Sequence, residues 1–426
     1  MHLQRNERSG VIPAEFMSSF HADIAILGGG MVGLTLAYQL LERYPDLSIK
    51  VIDKEREIGR HSSGRNSGVL HAGIYYPPRT LKAQVCVQGA RRLRDWCEAE
   101  GLSILRCGKV ISPQTPELDG QLELLLERGQ ANGAEVHLID QAEFHQRVPH
   151  GRTSSGRALW SPGTCVVKPQ LVLQRLEQRL KERGVAFQLG ARVILADAQD
   201  RSITLQDHSG ETRTLFYGHL FNATGLQADR VAQAFGLAEH CTLLPFKGLY
   251  WQLDPRAAMR FSTNLYPVPD LNVPFLGVHV TPSPDGTVNL GPTAIPAWGR
   301  ENYEGLEGVE PLMALQFLGD LASQWWRNAG GFRRYAREQA LHGFKPMFLK
   351  AAQALVPGLR SEHLLPSQKV GIRAQLYDRR DGSLVQDFLL EHGHASTHVL
   401  NAISPAFTAS FALADLILDQ SPLASH

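Results

Sequence analysis

Apolar residues run first in an unbroken block, Ile24-Ala25-Ile26-Leu27, and then, beyond Gly28-Gly29-Gly30-Met31-Val32-Gly33, recur at helical spacing from Leu34 to Arg43. That switch in period across glycines predicts a strand, a tight turn and a helix. A second apolar run, Ile49-Lys50-Val51-Ile52, ends in Asp53 and completes a βαβ pattern. The glycines fall at the spacing G-x-G-x-x-G. Gly28 then allows the turn, Gly30 lets backbone N–H groups approach a pyrophosphate, and Gly33 lets the helix pack on the strand, with the helix's positive end toward phosphate. Asp53, about twenty residues on, is placed to accept hydrogen bonds from a ribose. An ordinary glycine turn is the competing reading; the flanking strands and the acid disfavour it. Gly28, Gly30, Met31, Val32, Gly33, Asp53 and Lys54 are the candidate dinucleotide-binding residues here.

Further along, helical periods cover 80–100 with Thr80 as N-cap, 117–130, 170–183, 311–328 and 332–354, and a final helix runs to Leu418 with Ser404 as N-cap and Pro405 as its first residue. The Leu122-to-Leu126 run reads as core packing. Strand patterns fall at 186–189, 191–195 and 202–206, with a hairpin turn at 207–210, then at 219–222, 370–375 and 384–390. Alternation from Lys247 to Pro292, punctuated by proline and glycine, predicts an antiparallel sheet. The fold class is therefore α/β, in two domains behind a flexible N-terminal extension over 1–20. A discontinuous Rossmann-like domain takes 21–80, 151–235 and 356–426, and a mixed antiparallel-sheet domain takes 81–150 and 236–355.

Composition changes this picture by exclusion. In 426 residues, 43 Lys and Arg stand against 42 Asp and Glu, a net charge of +1 with no basic block, which argues against a nucleic-acid partner. The five cysteines are scattered without a C-x-x-C, which disfavours a disulfide framework or a metal site and fits a reducing compartment. Residues 1–20 lack a signal peptide's apolar core, and glycines interrupt the apolar stretch 24–41, so no transmembrane helix is expected. The expected location is cytoplasmic, with peripheral attachment to the inner face of a membrane left open.

The loop Ser63-Gly64-Arg65-Asn66-Ser67-Gly68-Val69-Leu70-His71-Ala72-Gly73-Ile74-Tyr75-Tyr76, with Leu81-Lys82-Ala83 behind it, closely resembles the FAD-dependent L-2-hydroxyglutarate oxidase/dehydrogenase family, part of the D-amino-acid-oxidase-like flavoproteins. Further matches are Lys247-Gly248, Tyr266-Pro267-Val268-Pro269, Phe275 to His279, Gly291-Pro292, Gly371 to Gln375 and His398 to Ala406, so the resemblance spans residues 23 to about 418. It implies a D-amino-acid-oxidase-like fold, with the Rossmann-like domain binding FAD without a covalent link and the second domain binding substrate. Ser62, Ser63, Asn66, Gly68 and Leu70 would line the cofactor, together with the backbone of Val193, Ala223-Thr224-Gly225 and Gly371. The last helix, through Ser404, Pro405, Ala406, Phe407 and Thr408, would turn its positive end toward the flavin. Arg79-Thr80 departs from the family's Gly-Ser, and Lys168 stands where an Asp is usual.

Oxidising a 2-hydroxy acid requires that the hydroxyl proton leave, that the Cα hydrogen pass as hydride to the flavin, and that the carboxylate be held. Among 17 histidines, His398 and His71 lie in the matching motifs; His398 is the favoured base, with His71 orienting substrate or flavin. Arg373 is the candidate carboxylate clamp, since a planar guanidinium matches a carboxylate. A small 2-hydroxy diacid needs a second partner, for which Lys247, Arg79, Tyr75 and Tyr266 are candidates. The electron acceptor is oxygen, a membrane quinone or another electron-transfer partner. Oxidation of glycerol 3-phosphate, another 2-hydroxy acid or an amino acid is the alternative; a non-catalytic flavin-binding protein and a nicotinamide enzyme are more distant ones.

Overall fold

The structure, a computed structural model, describes residues 4–5, 20–271, 276–328 and 332–425. The chain forms two compact units, unit 1 from Met1–Gly64, Gln170–Leu244 and Ala374–His426, and unit 2 from Arg65–Pro169 and Pro245–Arg373. The first division thus falls inside the glycine- and serine-rich loop rather than at residue 80.

Unit 1 is built on a sheet whose central strand, His21–Leu27, runs parallel to Ile49–Asp53 on one side and to Thr212–Asn222 on the other. Ala186–Leu189 adds a further parallel strand beside Ile49–Asp53, and Ser396–Val399 adds one beside Thr212–Asn222. Ala191–Asp197, Ser202–Asp207 and Thr212–Asn222 form an antiparallel meander. Within the expected N-terminal extension, Gln4–Arg5 pairs with Leu195–Ala196; residues 1–3 and 6–19 lie outside the described residues. Strands buried on both faces read as unbroken apolar runs, which is why 24–27 and 49–52 were legible as strands.

The first helix, Met31–Arg43, packs against the last, Ala406–Gln420. Thr35 Oγ1 donates to Ser410 O at 3.2 Å, Gln39 Nε2 to Asp415 Oδ1 at 2.8 Å, and Arg43 Nη1 to Asp419 Oδ1 at 2.6 Å. Partners advance together along both helices, so the two are parallel and their N-termini point the same way. Gly33 sits where the first helix meets the strand: a Cβ there would overlap the Gly28 carbonyl oxygen.

In unit 2 the alternation between 247 and 292 becomes the antiparallel sheet it predicts, with Trp251 opposite Leu290 and Val280 opposite Leu290 across the other edge. His279–Pro282 continues onto Asn264–Pro267, which pairs in parallel with Lys109–Ser112, followed by Arg157–Ser161 and His137–Asp140. Val110, Phe144, Leu265, Val280, Leu290 and Phe348 fill one core, and Ile74, Ile111, Leu122, Leu125, Leu159 and Tyr266 another, so the Leu122-to-Leu126 run does serve packing.

Several element boundaries differ from expectation, the strands at 219–222 and 370–375 proving longer, Thr212–Asn222 and Leu364–Asp378, and three others having a visible cause. The pattern over 332–354 breaks into Phe332–Leu341 and Lys345–Gln353, with Pro346 in the first turn of the second helix, where its missing N–H costs nothing. The strand expected over 384–390 is interrupted because side chains take its carbonyls: Gln375 Nε2 and Asn401 Nδ2 donate to Val385 O at 2.8 and 2.9 Å, and Asn401 Nδ2 also to Asp387 O at 2.6 Å. The last helix starts at Ala406 with Pro405 at the cap position, and Ser404 stands exposed in the preceding turn rather than capping it.

Gly33→Ala should therefore force the first helix off the strand, lowering stability by about 1–3 kcal/mol or more. A urea midpoint equal to that of the parent protein would contradict this packing.

Candidate functional site

In unit 1 the glycine turn is held from both sides. Gly28 adopts φ 108°, donates its N–H to Ile52 O at 2.7 Å, and lies so close to the turn after Thr212–Asn222 that a Cβ would come 2.5 Å from Ala223 O. Ala223 N–H donates to Leu27 O at 2.8 Å, and Asn222 Oδ1 accepts from Thr224 N at 3.2 Å and Thr224 Oγ1 at 2.6 Å, which fixes Ala223-Thr224-Gly225 against the turn. Gly30 occupies the cap position of the first helix, and Met31 N–H, at its open end ahead of Val32, donates to Ser63 Oγ at 2.9 Å. Asp53 accepts from Gly29 N at 2.7 Å and Glu55 N at 2.9 Å; burial raises its carboxyl above the usual range despite those bonds.

The other unit 1 candidates surround this cradle or lie elsewhere in the sheet. Ser62 is exposed beside Ser63, and Lys54 is paired with Glu55 and lies 3.1 Å from His61 Nε2. Val193 stands where the pairing of Ala191–Asp197 shifts register. Ala406, Phe407 and Thr408 open the last helix, whose N-terminus points the same way as that of the first. Two parallel helix N-termini, a glycine turn that tolerates close approach and a carboxylate at the next strand end fit the pyrophosphate and ribose of FAD.

Asn66, Gly68, Leu70 and Gly371 fall in unit 2. Asn66 Oδ1 accepts from Gly68 N at 2.8 Å, Leu70 pairs with Cys165, and a Cβ on Gly371 would lie 2.9 Å from Arg65 O. Immediately beyond Leu70, His71 enters a buried cluster with Tyr75, Lys109, Tyr266 and His279. Tyr266 stacks on His279 with centroids 3.8 Å apart, and Lys109 Nζ faces the Tyr75 ring at 4.7 Å and the Tyr266 ring at 5.3 Å. His279 Nδ1 lies 2.9 Å from Gly277 O, so that nitrogen carries the proton. Burial first, then the charges of Arg373, Lys109 and Lys369, push His279 down to about 3. Burial, then Lys109 and His279, does the same to His71, also to about 3. Arg373 donates to Thr293 O at 3.1 Å and lies close enough to Tyr250 to offset part of the burial that raises this phenol to about 12. Burial lowers Lys369 to about 8.

The structure thus brings His71, Tyr75, Tyr266 and Arg373 into one neighbourhood, together with Lys109, His279 and Lys369, which the sequence reading missed. His279 ended a quoted motif whose Phe275 lies outside the described residues. Lys109 had one legible signal, a lysine leading the buried run Val110-Ile111. Of the other two candidates, Lys247 donates to Asn302 Oδ1 at 3.0 Å and its carbonyl accepts from Thr293 Oγ1 at 3.4 Å, and Arg79 is exposed in the turn before helix Leu81–Ala99, whose N-cap is Thr80, as expected. Lys168, unexplained in the sequence, pairs with Asp285.

His398 is the main correction. It lies fully buried in unit 1, its ring edge-on to Phe235 at 4.9 Å, with Nδ1 3.1 Å from Asn222 Nδ2 and Nε2 3.0 Å from Ser396 Oγ. Since Asn222 Oδ1 accepts from Thr224, its amide nitrogen donates to His398 Nδ1, and His398 Nε2 donates to Ser396. Both ring nitrogens are engaged within the core, so the histidine favoured as base instead steadies the Ala223-Thr224-Gly225 turn through Asn222.

Known proteins resemble this chain over most of its length. A profile of the family described as "DAO: FAD dependent oxidoreductase" matches residues 23–420. L-2-hydroxyglutarate dehydrogenase, mitochondrial, from Homo sapiens is 35% identical over 95% of this chain and 89% of its own, and L-2-hydroxyglutarate dehydrogenase from Indibacter alkaliphilus is 31% identical over 93% and 98%. Among solved structures, L-alpha-glycerophosphate oxidase from Mycoplasma pneumoniae with FAD bound superposes with a TM-score of 0.71 at 20% identity, covering 94% of each chain, a likeness of fold.

The histidines carry an acid-stability prediction. His398, pushed down to about 3 by burial and then by His219 and His392, binds a proton more readily unfolded, at about 6.5. Its contribution is complete above pH 6.5 and is lost toward pH 3 at about 1.4 kcal/mol per pH unit. His71 and His279 act in the same sense, as does His219, lowered to about 4. Urea unfolding at pH 7 and pH 5 should show this steep loss, and His398→Asn should flatten it by about one proton's share; an unchanged slope would refute the assignment.

Proposed function

Because the chain belongs to the DAO family of FAD-dependent oxidoreductases, we propose that it oxidises L-2-hydroxyglutarate to 2-oxoglutarate. The observation that carries this reading is the neighbourhood of Arg373, Lys109 and Lys369 around His279 in unit 2, a concentration of positive charge suited to a dicarboxylate and unfavourable for the ammonium of an amino acid. Relatives bearing the name L-2-hydroxyglutarate dehydrogenase, over most of both chains, support the same substrate.

In this reading Arg373 holds the carboxylate next to the hydroxyl, with its guanidinium steadied by the Thr293 carbonyl. His71 takes over as acceptor of the hydroxyl proton: burial and the neighbouring Lys109 and His279 keep it neutral, which is the form a base requires. Tyr266 fixes the plane of His279 by stacking. Gly28, Gly30, Gly33, Ser63, Asp53 and the two helix N-termini hold the dinucleotide; FAD, when bound, supplies hydride acceptance at N5.

A membrane quinone is the acceptor we favour over oxygen. Among the described residues no helix is long and apolar enough to cross a membrane. Helix Pro311–Arg327 nevertheless exposes Leu312 at 78%, Leu315 at 67% and Trp326 at 78%, with exposed Arg327 and Arg337 nearby in sequence, a composition suited to lying on an anionic lipid surface.

The decisive measurement is an anaerobic absorbance spectrum of the holoenzyme. L-2-hydroxyglutarate should bleach the flavin band, while the D-enantiomer, L-lactate and glycerol 3-phosphate should not; bleaching by glycerol 3-phosphate instead would replace the substrate. His71→Asn should lower kcat about 10²–10⁴-fold, whereas His398→Asn, at a temperature where it is folded, should keep kcat within a few-fold; the reverse pattern would return the base to His398. The acceptor reading expects cosedimentation with phosphatidylglycerol vesicles that Leu315→Asp with Trp326→Asp abolishes.

A further inference from the structure

Lys109 combines three properties that a structural lysine rarely shows together. It opens the strand Lys109–Ser112 with 0% of its surface exposed, and its Nζ has no hydrogen-bond partner among the described residues. Its neighbours are the faces of Tyr75 and Tyr266, the imidazoles of His71 and His279, and the Cys86 thiol. Burial pushes that thiol up to about 12, so no thiolate balances the ammonium at neutral pH. Cation–π attraction to the two phenol rings offsets only part of what desolvating the ammonium costs. Burial accordingly draws Lys109 down to about 7. Beside it, Tyr75 Oη is also buried and without a hydrogen-bond partner among the described residues. A buried ammonium without a hydrogen-bond partner, facing the ring of a tyrosine whose hydroxyl also lacks one, offers two donors to an anion that arrives from solution.

We propose that Lys109 and Tyr75 bind the distal carboxylate of a dicarboxylate substrate, opposite the carboxylate held by Arg373, and so set the enzyme's preference for diacids over 2-hydroxy monoacids. This rests on the oxidation reading above and names the second carboxylate's partner. A monoacid leaves the buried ammonium uncompensated, whereas a diacid neutralises it and satisfies the Tyr75 hydroxyl. Lys109 acts on the end of the substrate remote from the reacting carbon, so its effect falls on binding rather than on the chemical step.

The test compares parent holoenzyme with Lys109→Met and Tyr75→Phe. Two probes do not react: glutarate and butyrate, followed by their perturbation of the flavin spectrum. Two report turnover: L-2-hydroxyglutarate and its distal amide, L-2-hydroxyglutaramate. Lys109→Met should weaken glutarate binding and raise KM for L-2-hydroxyglutarate about 10²-fold, with kcat within a few-fold and with butyrate and the amide changed less than about threefold. Tyr75→Phe should cost about tenfold on the same two diacids.

A dianion binds the protonated ammonium, so in the parent glutarate affinity should fall about tenfold per pH unit from an onset near 7, a fall that Lys109→Met removes and that the titration of Lys369, lowered to about 8, would leave in place. His71 and His279, neutral throughout that range, do not contribute. If Lys109→Met fails to retain flavin, Tyr75→Phe decides: a loss confined to the two diacids supports the anchor, and equal losses on diacid and amide overturn it. Equal losses on diacid and amide, or a loss in kcat alone, would overturn it too. Lys109-dependent glutarate binding without oxidation of L-2-hydroxyglutarate would leave the anchor standing and refute the reaction.

Discussion

The carbonyl of Gly28 lies so close to Gly33 that a methyl group could not fit between them, and the geometry of unit 1 depends on that approach. It seats the first helix on the central strand, and the last helix, packed parallel to the first through Thr35, Gln39 and Arg43, points its N-terminus the same way. Two helix N-termini then share one direction, a sum of dipoles that a single helix could not provide. The turn at Ala223-Thr224-Gly225 closes against Gly28 from the other side, and Asn222 with His398 holds it there. A histidine can therefore matter to a redox protein through the tautomer it keeps in a core rather than through proton transfer.

Unit 2 rests on a different constraint, the cost of removing charge from water. Imidazoles at His71 and His279 respond to burial by staying neutral, the Tyr75 and Tyr250 phenols by keeping their protons, and Lys109 and Lys369 by becoming weaker bases. Each response moves the group toward its uncharged form, which is the form proton abstraction needs of a histidine, whereas the lysines regain their charge only beside an anion. The cluster is thereby poised for an anion: a negative ligand stabilises the charged form of the lysines and raises the basicity of the histidines that burial and the neighbouring cations had lowered.

Much of this was legible in the residues. The period switch around Gly28 to Gly33 fixed the βαβ unit, because packing on both faces of a parallel strand demands an unbroken apolar run and close helix approach demands glycine. Thr80 was readable as a cap and the 247–292 alternation as an antiparallel sheet, both being local consequences of side-chain chemistry. Less was legible at Ser404, where a good capping residue is bypassed, and over 384–390, where the amides of Gln375 and Asn401 compete for the strand's carbonyls. Those outcomes depend on partners distant in the chain.

The sequence by itself determined the dinucleotide unit, the flavoprotein family and a short set of histidines and cations, because spacing, period and turn chemistry act between near neighbours. Only the tertiary structure decided which of them could do chemistry. His398 and His71 look alike as residues in matching motifs, yet one has both nitrogens engaged in the core of unit 1 and the other lies among Lys109, His279 and Tyr75 in unit 2. Lys109, marked in the sequence only by the buried run it leads, gains its meaning from burial without a hydrogen-bond partner. Burial and partnership belong to three-dimensional surroundings, and it is the surroundings that set what form an ionisable side chain takes.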